Sequence, residues 1–441
     1  MPEPGLITSK VRAYMESLSP AARAMLVRSL RAAGAQGDLP SDIILAAVAG
    51  LELEEPAPQP APRAAAPQVP WSARIESAFF APLSPFLSDD MVGAGSGFTG
   101  RIPRAHLPEL WTWIHRDVAS DAWERALAAD PYDADADVAP IMRKFRREAV
   151  GRVVDLLRDA GLDPRVRQKI IGQLGGEAIY RTLVDVAYVL QNEAAFANLF
   201  GQLPSNITTF DCAEPSRIAD VVRVSMEQVQ MTVEWIAAAV LARTTNPVVA
   251  AHLACRLAGT TDPRLVAGSR YAPFVDIVLA QLERCAALGA ARGNDARSRA
   301  VFFVDLRAYH DIARNLALLF SVESVSGWFR RLGAAKVVMS EAVTRRIETA
   351  AGLVRRALRV ETTGGEYAGR FDADAFEDAE FAVRLSIEAR AYTETLAINE
   401  VVGRTRKQIE NTLEVVSEKL MADLKSGQAL DRRVEIGRAH V

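Results

Sequence analysis

Apolar residues recur at spacings of three and four along nearly every long segment of this chain, the period of a helix with one buried face. The cleanest stretch is 215–243. There Ile218, Val222, Ser225, Val229, Val233, Ile236 and Val240 keep that rhythm between Pro215 and Asn246-Pro247. The pattern predicts one long helix. Residues 140–160 place Phe145, Val153, Leu156 and Leu157 on one face, with Gly161 as the stop and Asp163-Pro164 opening the next helix. Gly175-Gly176 punctuates before a helix through Leu190. Ile75, Phe79 and Phe80 predict a short helix, and PLSPFLSDDMVGAGSGFTGRIP after it reads as loop. From about Leu107 the helical pattern is nearly continuous, with later helices expected at 270–291, 298–320, 332–359, 374–390 and 393–426. Strict alternation, the strand signal, is almost missing. The expected fold class is all-α: a multi-helix antiparallel bundle or irregular helical array with short Gly/Pro loops.

The same reading divides the chain. Residues 1–50 predict a small helical module: Ser19-Pro20 starts a helix lined by Ala22, Met25, Leu26 and Leu30, Gly34 ends it, and Ser41 caps another through Ile44 and Val48. Residues 51–70 are rich in Pro and Ala and predict a semi-rigid linker. Residues 71–430 form the helical body, with a division into two subdomains near 245–270 as one option. Residues Glu435 to Val441 resemble the translation of a sequencing adaptor, GAG ATC GGA AGA GCA CAC GTC. On that expectation they are not native, His440 has no role, and the natural chain runs on.

Composition narrows the function. With 49% apolar and 24% charged residues and a net charge of −3, nothing points to nucleic acid. Cys212, Cys255 and Cys285 are odd in number and far apart, which argues against a disulfide framework and for a cytoplasmic location. Neither a signal peptide nor an apolar run long enough to span a membrane is expected.

Chemistry-bearing motifs are sparse. Gly93, Gly95, Gly97 and Gly100 lack the strand, helix and Lys-Ser/Thr pair of a phosphate loop and read as a connector. Asp133, Asp135 and Asp137 have calcium-loop spacing, but Val138 and Lys144 stand where Gly and Glu are needed, so an acidic turn before a helix is the reading. His252 and Cys255 stand three apart but have no second ligand pair. His310-Asp311, beside Tyr309 and Arg314, are helix neighbours pointing about 100° apart. No metal and no cofactor is expected.

Two groups remain as candidate binding sites. Trp111, Trp113, His115, Arg116 and Trp123 form a dense aromatic group that would line a ligand pocket or a partner surface, or simply pack a helix pair. Arg345, Arg346, Arg355, Arg356 and Arg359, with Lys336, crowd the polar side of helix 332–359. They would face an anionic partner, or the acidic run Asp372, Asp374, Glu377, Asp378 and Glu380. In the last helix Val402, Ile409, Leu413, Val416 and Leu420 make an apolar stripe with Arg406 interrupting it, while Lys407, Glu410, Glu414 and Lys419 face water. That stripe, Leu413 included, is expected to be buried on the body or in a weak homodimer.

The function this implies is a protein–protein interaction scaffold or regulator without catalytic activity, its protein partner unknown. The alternatives are an enzyme or small-ligand-binding protein with a site near Trp111–Trp123, and an anion or membrane-surface binder using the Arg-rich helix.

Overall fold

A computed structural model describes residues 70–90, 98–129, 139–208, 214–228, 231–319, 324–358, 362–363, 366–367 and 373–425. The module at 1–50, the linker up to 69, the glycines 93–97, the Asp133–Asp137 turn, Cys212, Arg359 and the adaptor-like tail lie outside these residues. The fold is all-α. The helices are α1 (Trp71–Phe80), α2 (Leu107–Trp113), α3 (Ser120–Ala128), α4 (Ala139–Leu162), α5 (Pro164–Leu174), α6 (Glu177–Gln191), α7 (Glu193–Gln202), α8 (Glu214–Gln228) and α9 (Val233–Leu241). Then follow α10 (Val248–Ala258), α11 (Pro263–Ala267), α12 (Ala272–Ala291), α13 (Ala296–Leu319), α14 (Ser326–Glu348), α15 (Ala350–Ala357), α16 (Ala373–Glu388), α17 (Thr393–Leu396) and α18 (Asn399–Lys425). Among the described residues the strands are two-residue pairs only: β1 (Leu87–Ser88) with β2 (Ile102–Pro103), parallel, and β3 (Thr362–Thr363) with β4 (Glu366–Tyr367), antiparallel.

The centre of the body is α9, in which every residue from Trp235 to Leu241 is buried. A helix apolar all round belongs inside, and α10 and α12 enclose it. One buried cluster runs from Ile75 to Val402, across the 245–270 stretch. The segment 98–106 lies against the same centre. At Gly100 the backbone has φ of 63°, and a Cβ would stand 2.5 Å from that of Ala238, so only glycine fits. Phe98 packs on Trp235 at 5.0 Å, and Trp235 stacks on Tyr188 of α6 at 5.5 Å.

Three predicted helices are broken in the structure. The 215–243 stripe is two helices, α8 and α9. Thr232, extended at the start of α9, donates its N–H to Tyr188 Oη at 2.7 Å, a tertiary bond that replaces a helical one. The 332–359 helix starts earlier, at Ser326, and divides into α14 and α15 at Thr349, whose hydroxyl donates to the Arg346 carbonyl at 2.9 Å. The last helix divides at Ala397, with φ of 57°. Ala is a strong helix former, so nothing local signals that break. The loop after α1 is also more ordered than expected, since Ala81–Phe86 is a 3₁₀ turn that buries Leu83 and Phe86.

The docking register of α18 differs from the predicted stripe. Val402 and Ile409 are buried as expected, but Thr405 and Thr412 complete the buried face. Leu413 is 46% exposed, and Arg406 pairs outside with Glu410 at 2.7 Å instead of interrupting the core. Threonine is scored as polar, yet its methyl packs and Thr412 returns its hydroxyl to the Gln408 carbonyl at 2.7 Å.

Candidate functional site

The aromatic group is assembled where α2 widens into one turn of π-helix at Ile114–Val118 before α3. Such a turn re-aims side chains relative to a regular helix. Trp111, His115 and Trp123 come together, each pair of rings 5.2 Å apart. Phe79 of α1 and Phe145 of α4 close on Trp111 at 5.4 and 6.0 Å. These are contact distances for aromatic rings, so the group is packed solid, with Trp111 buried and Trp123 half-buried at its edge. Trp113 leaves the group. Two positions along the helix, it turns to α5 and donates Nε1–H to Gln173 Oε1 at 3.1 Å.

His115 has one defined polar contact. Its Nδ1 lies 2.7 Å from the Trp111 carbonyl oxygen, which can only accept, so Nδ1 is the donor in this contact. A catalytic histidine is usually oriented by a carboxylate. The nearest in sequence, Asp117, is held by Arg116 at 2.8 Å. The packed indole cluster, with a backbone-oriented imidazole at its rim, joins α1, α2, α3 and α4.

The arginine face is divided. Arg346 turns inward, stacks on Phe302 of α13 at 4.3 Å and donates to the Ala342 and Arg292 carbonyls at 2.9 and 2.7 Å. Burial lowers its pKa, and the charge of Arg345 adds to that. Arg345, Arg355 and Arg356 are exposed, on two helices separated by the break at Thr349. Two members of the acidic run are engaged elsewhere. α16 packs on α15, yet Asp378 and Glu377 pair with Arg299 of α13, which also stacks on Phe381 at 5.7 Å.

The remaining motifs separate as well. On α10, His252 is exposed and Cys255 buried, where burial pushes its thiol up to about 11. Cys285 is likewise buried and pushed up to about 11. His310 makes its side-chain hydrogen bond away from Asp311. Its Nδ1 meets Thr395 Oγ1 of α17 at 2.8 Å, its ring lies 4.7 Å from Tyr392, and burial lowers its pKa. Among the described residues no group of three or more His, Cys, Asp or Glu could hold a metal ion. Nor is any described helix long and apolar enough to cross a membrane.

Sequence reasoning missed Asp185. It lies in the middle of α6 between Thr182 and Tyr188, and these three residues share one face at spacings of three. The segment 98–106 runs along that face: Phe98 and Tyr188 both touch Trp235, and His106 Nδ1 meets Thr182 Oγ1 at 2.8 Å. Asp185 is half-buried beneath it with no hydrogen-bond or ionic partner among the described residues, and burial pushes its carboxyl up to about 7. Its only sequence signal was a lone acid within the apolar run LVDVAYVL. The chain matches no protein-family model, no curated protein and no solved structure.

Proposed function

We propose that this protein is a helical interaction scaffold that offers the far half of α18 to a partner helix. One observation carries the reading. The apolar stripe of α18 docks on the body as far as Thr412, and past that point no described side chain is buried. The stripe does not end there. Leu413 is 46% and Met421 52% exposed, and half-buried Val416 continues the line of Val402 and Ile409. Apolar residues at helical spacing, followed outward by Glu414, Glu418 and Lys419, are what a helix presents to another helix. The packed aromatic group and the divided arginine face leave the ligand and anion readings without a comparable surface.

The test is a photo-crosslinking amino acid placed at Leu413 or Val416, with Glu410 on the polar face as control, in the native host. The expected result is the same discrete adduct from Leu413 and Val416 and none from Glu410. Adducts that do not depend on position, or none at all, would count against the scaffold.

A further inference from the structure

The outer side of α14 carries a ridge whose two halves are opposite in charge and in size. Arg330, Ala334, Val337 and Glu341 follow at spacings of four, three and four, which aligns them along one line of the helix. All four are exposed, Val337 by 55%. Phe329, at 51%, and Val338, at 38%, add open apolar surface beside them. The opposite side of α14 is engaged, with Trp328, Ala335, Met339, Ala342 and Val343 buried and α12 and α16 packed against the helix. Neither Arg330 nor Glu341 has an ionic partner among the described residues. They stand about 16 Å apart along the axis, too far to pair within one chain.

Such a ridge is its own complement. If a second α14 is laid antiparallel about a two-fold axis between Ala335 and Lys336, Arg330 of each copy faces Glu341 of the other. Ala334 of each then faces Val337 of the other, small against large. Both contacts occur twice, as a closed two-fold interface requires. We propose that the outer ridge of α14 is a homodimer interface in which two copies of this chain pack antiparallel through Arg330, Ala334, Val337 and Glu341. The occupant is a second copy because one ridge supplies both a cation and an anion, and both a gap and the side chain that fills it. A uniformly charged partner would match one end and repel the other. A single helix pair buries less than the roughly 1,600 Å² of a stable complex, so the dimer is weak and forms with concentration.

The experiment is sedimentation equilibrium of the full chain at low salt, from roughly 5 to 500 µM. The expected result is a monomer–dimer equilibrium. Val337→Asp raises its dissociation constant by at least about tenfold, and because Val337 is exposed the variant keeps the wild-type melting temperature. Arg330→Glu and Glu341→Arg each weaken the dimer by roughly three- to tenfold through like charges in contact, and the double swap restores it. Leu413→Asp, on the surface assigned above to another partner, leaves the equilibrium unchanged. A chain monomeric throughout, a dimer indifferent to Val337→Asp, a double swap no tighter than the single variants, or a dimer lost with Leu413→Asp would each overturn the interface.

Discussion

Two desolvated carboxyls in this body have opposite fates. Asp276 of α12 accepts from Trp328 Nε1 and from Arg331 Nη1, each at 3.0 Å. Arg331 also grips Glu283 through two bonds, at 2.7 and 2.9 Å. Burial raises the Asp276 pKa, while Arg331 and Trp328 pull it back. Asp185 of α6 is desolvated in the same way and has nothing to pull it back, so it rises to about 7. What separates the two is not the acid or its own helix. It is whether the neighbouring helix carries a donor, and α14 does at two positions three apart. The α12–α14 seam is thus fastened by charge, and the face of α6 beneath segment 98–106 is a soft point whose strength depends on pH.

The largest effect should come from removing the unpartnered acid. Because the folded pKa of Asp185 lies above its ordinary value of 3.8, the folded state holds the proton more tightly than the unfolded chain. Its favourable contribution is complete at acid pH and is lost as pH rises through about 7. A shift of about three units corresponds to about 4 kcal/mol at most. Asp185→Asn should therefore flatten the pH dependence of stability between pH 5 and pH 8. The amide also lacks partners, at a cost of about 1–2 kcal/mol, so the net gain at pH 8 is about 2–3 kcal/mol. Urea unfolding across that pH range decides it, and a wild-type slope retained in the variant would show that the acid is not the soft point.

The next effect has the opposite sign. Arg331→Met keeps most of the volume on α14 but strips Asp276 and Glu283 of their cation. Breaking a buried pair costs about 3–5 kcal/mol, and the partial exposure of all three groups here reduces this to about 2–3 kcal/mol. The loss should be greatest at neutral pH and shrink in acid, as Asp276 takes up a proton. A loss independent of pH would mean that Arg331 acts through packing alone.

These contrasts show what the sequence carries and what it does not. The helices are legible because each buries a face of its own, and α4, α5, α12 and α13 lie within a few residues of their predicted ends. The breaks at Thr232, Thr349 and Ala397 are not legible: the first is met by the Tyr188 hydroxyl of another helix, the second coincides with a local hydroxyl bond that a threonine also makes inside unbroken helices, and the third is a left-handed alanine. The candidate site fared similarly. Periodicity brought Trp111, His115 and Trp123 together on paper as in space, but it could not say that Phe79 and Phe145 would fill the space between them. Nor could it show that Arg346 would turn inward to Phe302, or that Thr405 and Thr412 would displace Leu413 from the docked face. Partner choice across helices has no period.

A smaller effect should sharpen the account of the fastened seam. Trp328→Phe removes one of the two donors to Asp276 while leaving Arg331 in place. The expected loss is about 1–2 kcal/mol, part from the hydrogen bond and part from the smaller ring. Combined with Arg331→Met, the cost should exceed the sum of the two, because the second donor is then the last. Additive losses would mean that Trp328 serves packing and not the carboxyl.

The smallest effect tests the soft face from its other end. Tyr188 lies one turn beyond Asp185 and is joined to α9 in two ways, by stacking on Trp235 and by its hydroxyl on the Thr232 N–H. Tyr188→Phe keeps the stack and removes the bond. Thr232 is exposed, so water can replace the lost acceptor, and the global cost should be about 0.5 kcal/mol. The local effect should be larger than the global one. Thr232 begins α9 with an extended backbone, and its N–H has no helical carbonyl to return to. Amide exchange at Thr232 should therefore quicken severalfold in Tyr188→Phe, while amides inside α9, such as that of Ala238, stay protected. Equal acceleration at both positions would mean that the hydroxyl braces the whole central helix. No change at Thr232 would mean that the break between α8 and α9 is held by the Trp235 stack alone.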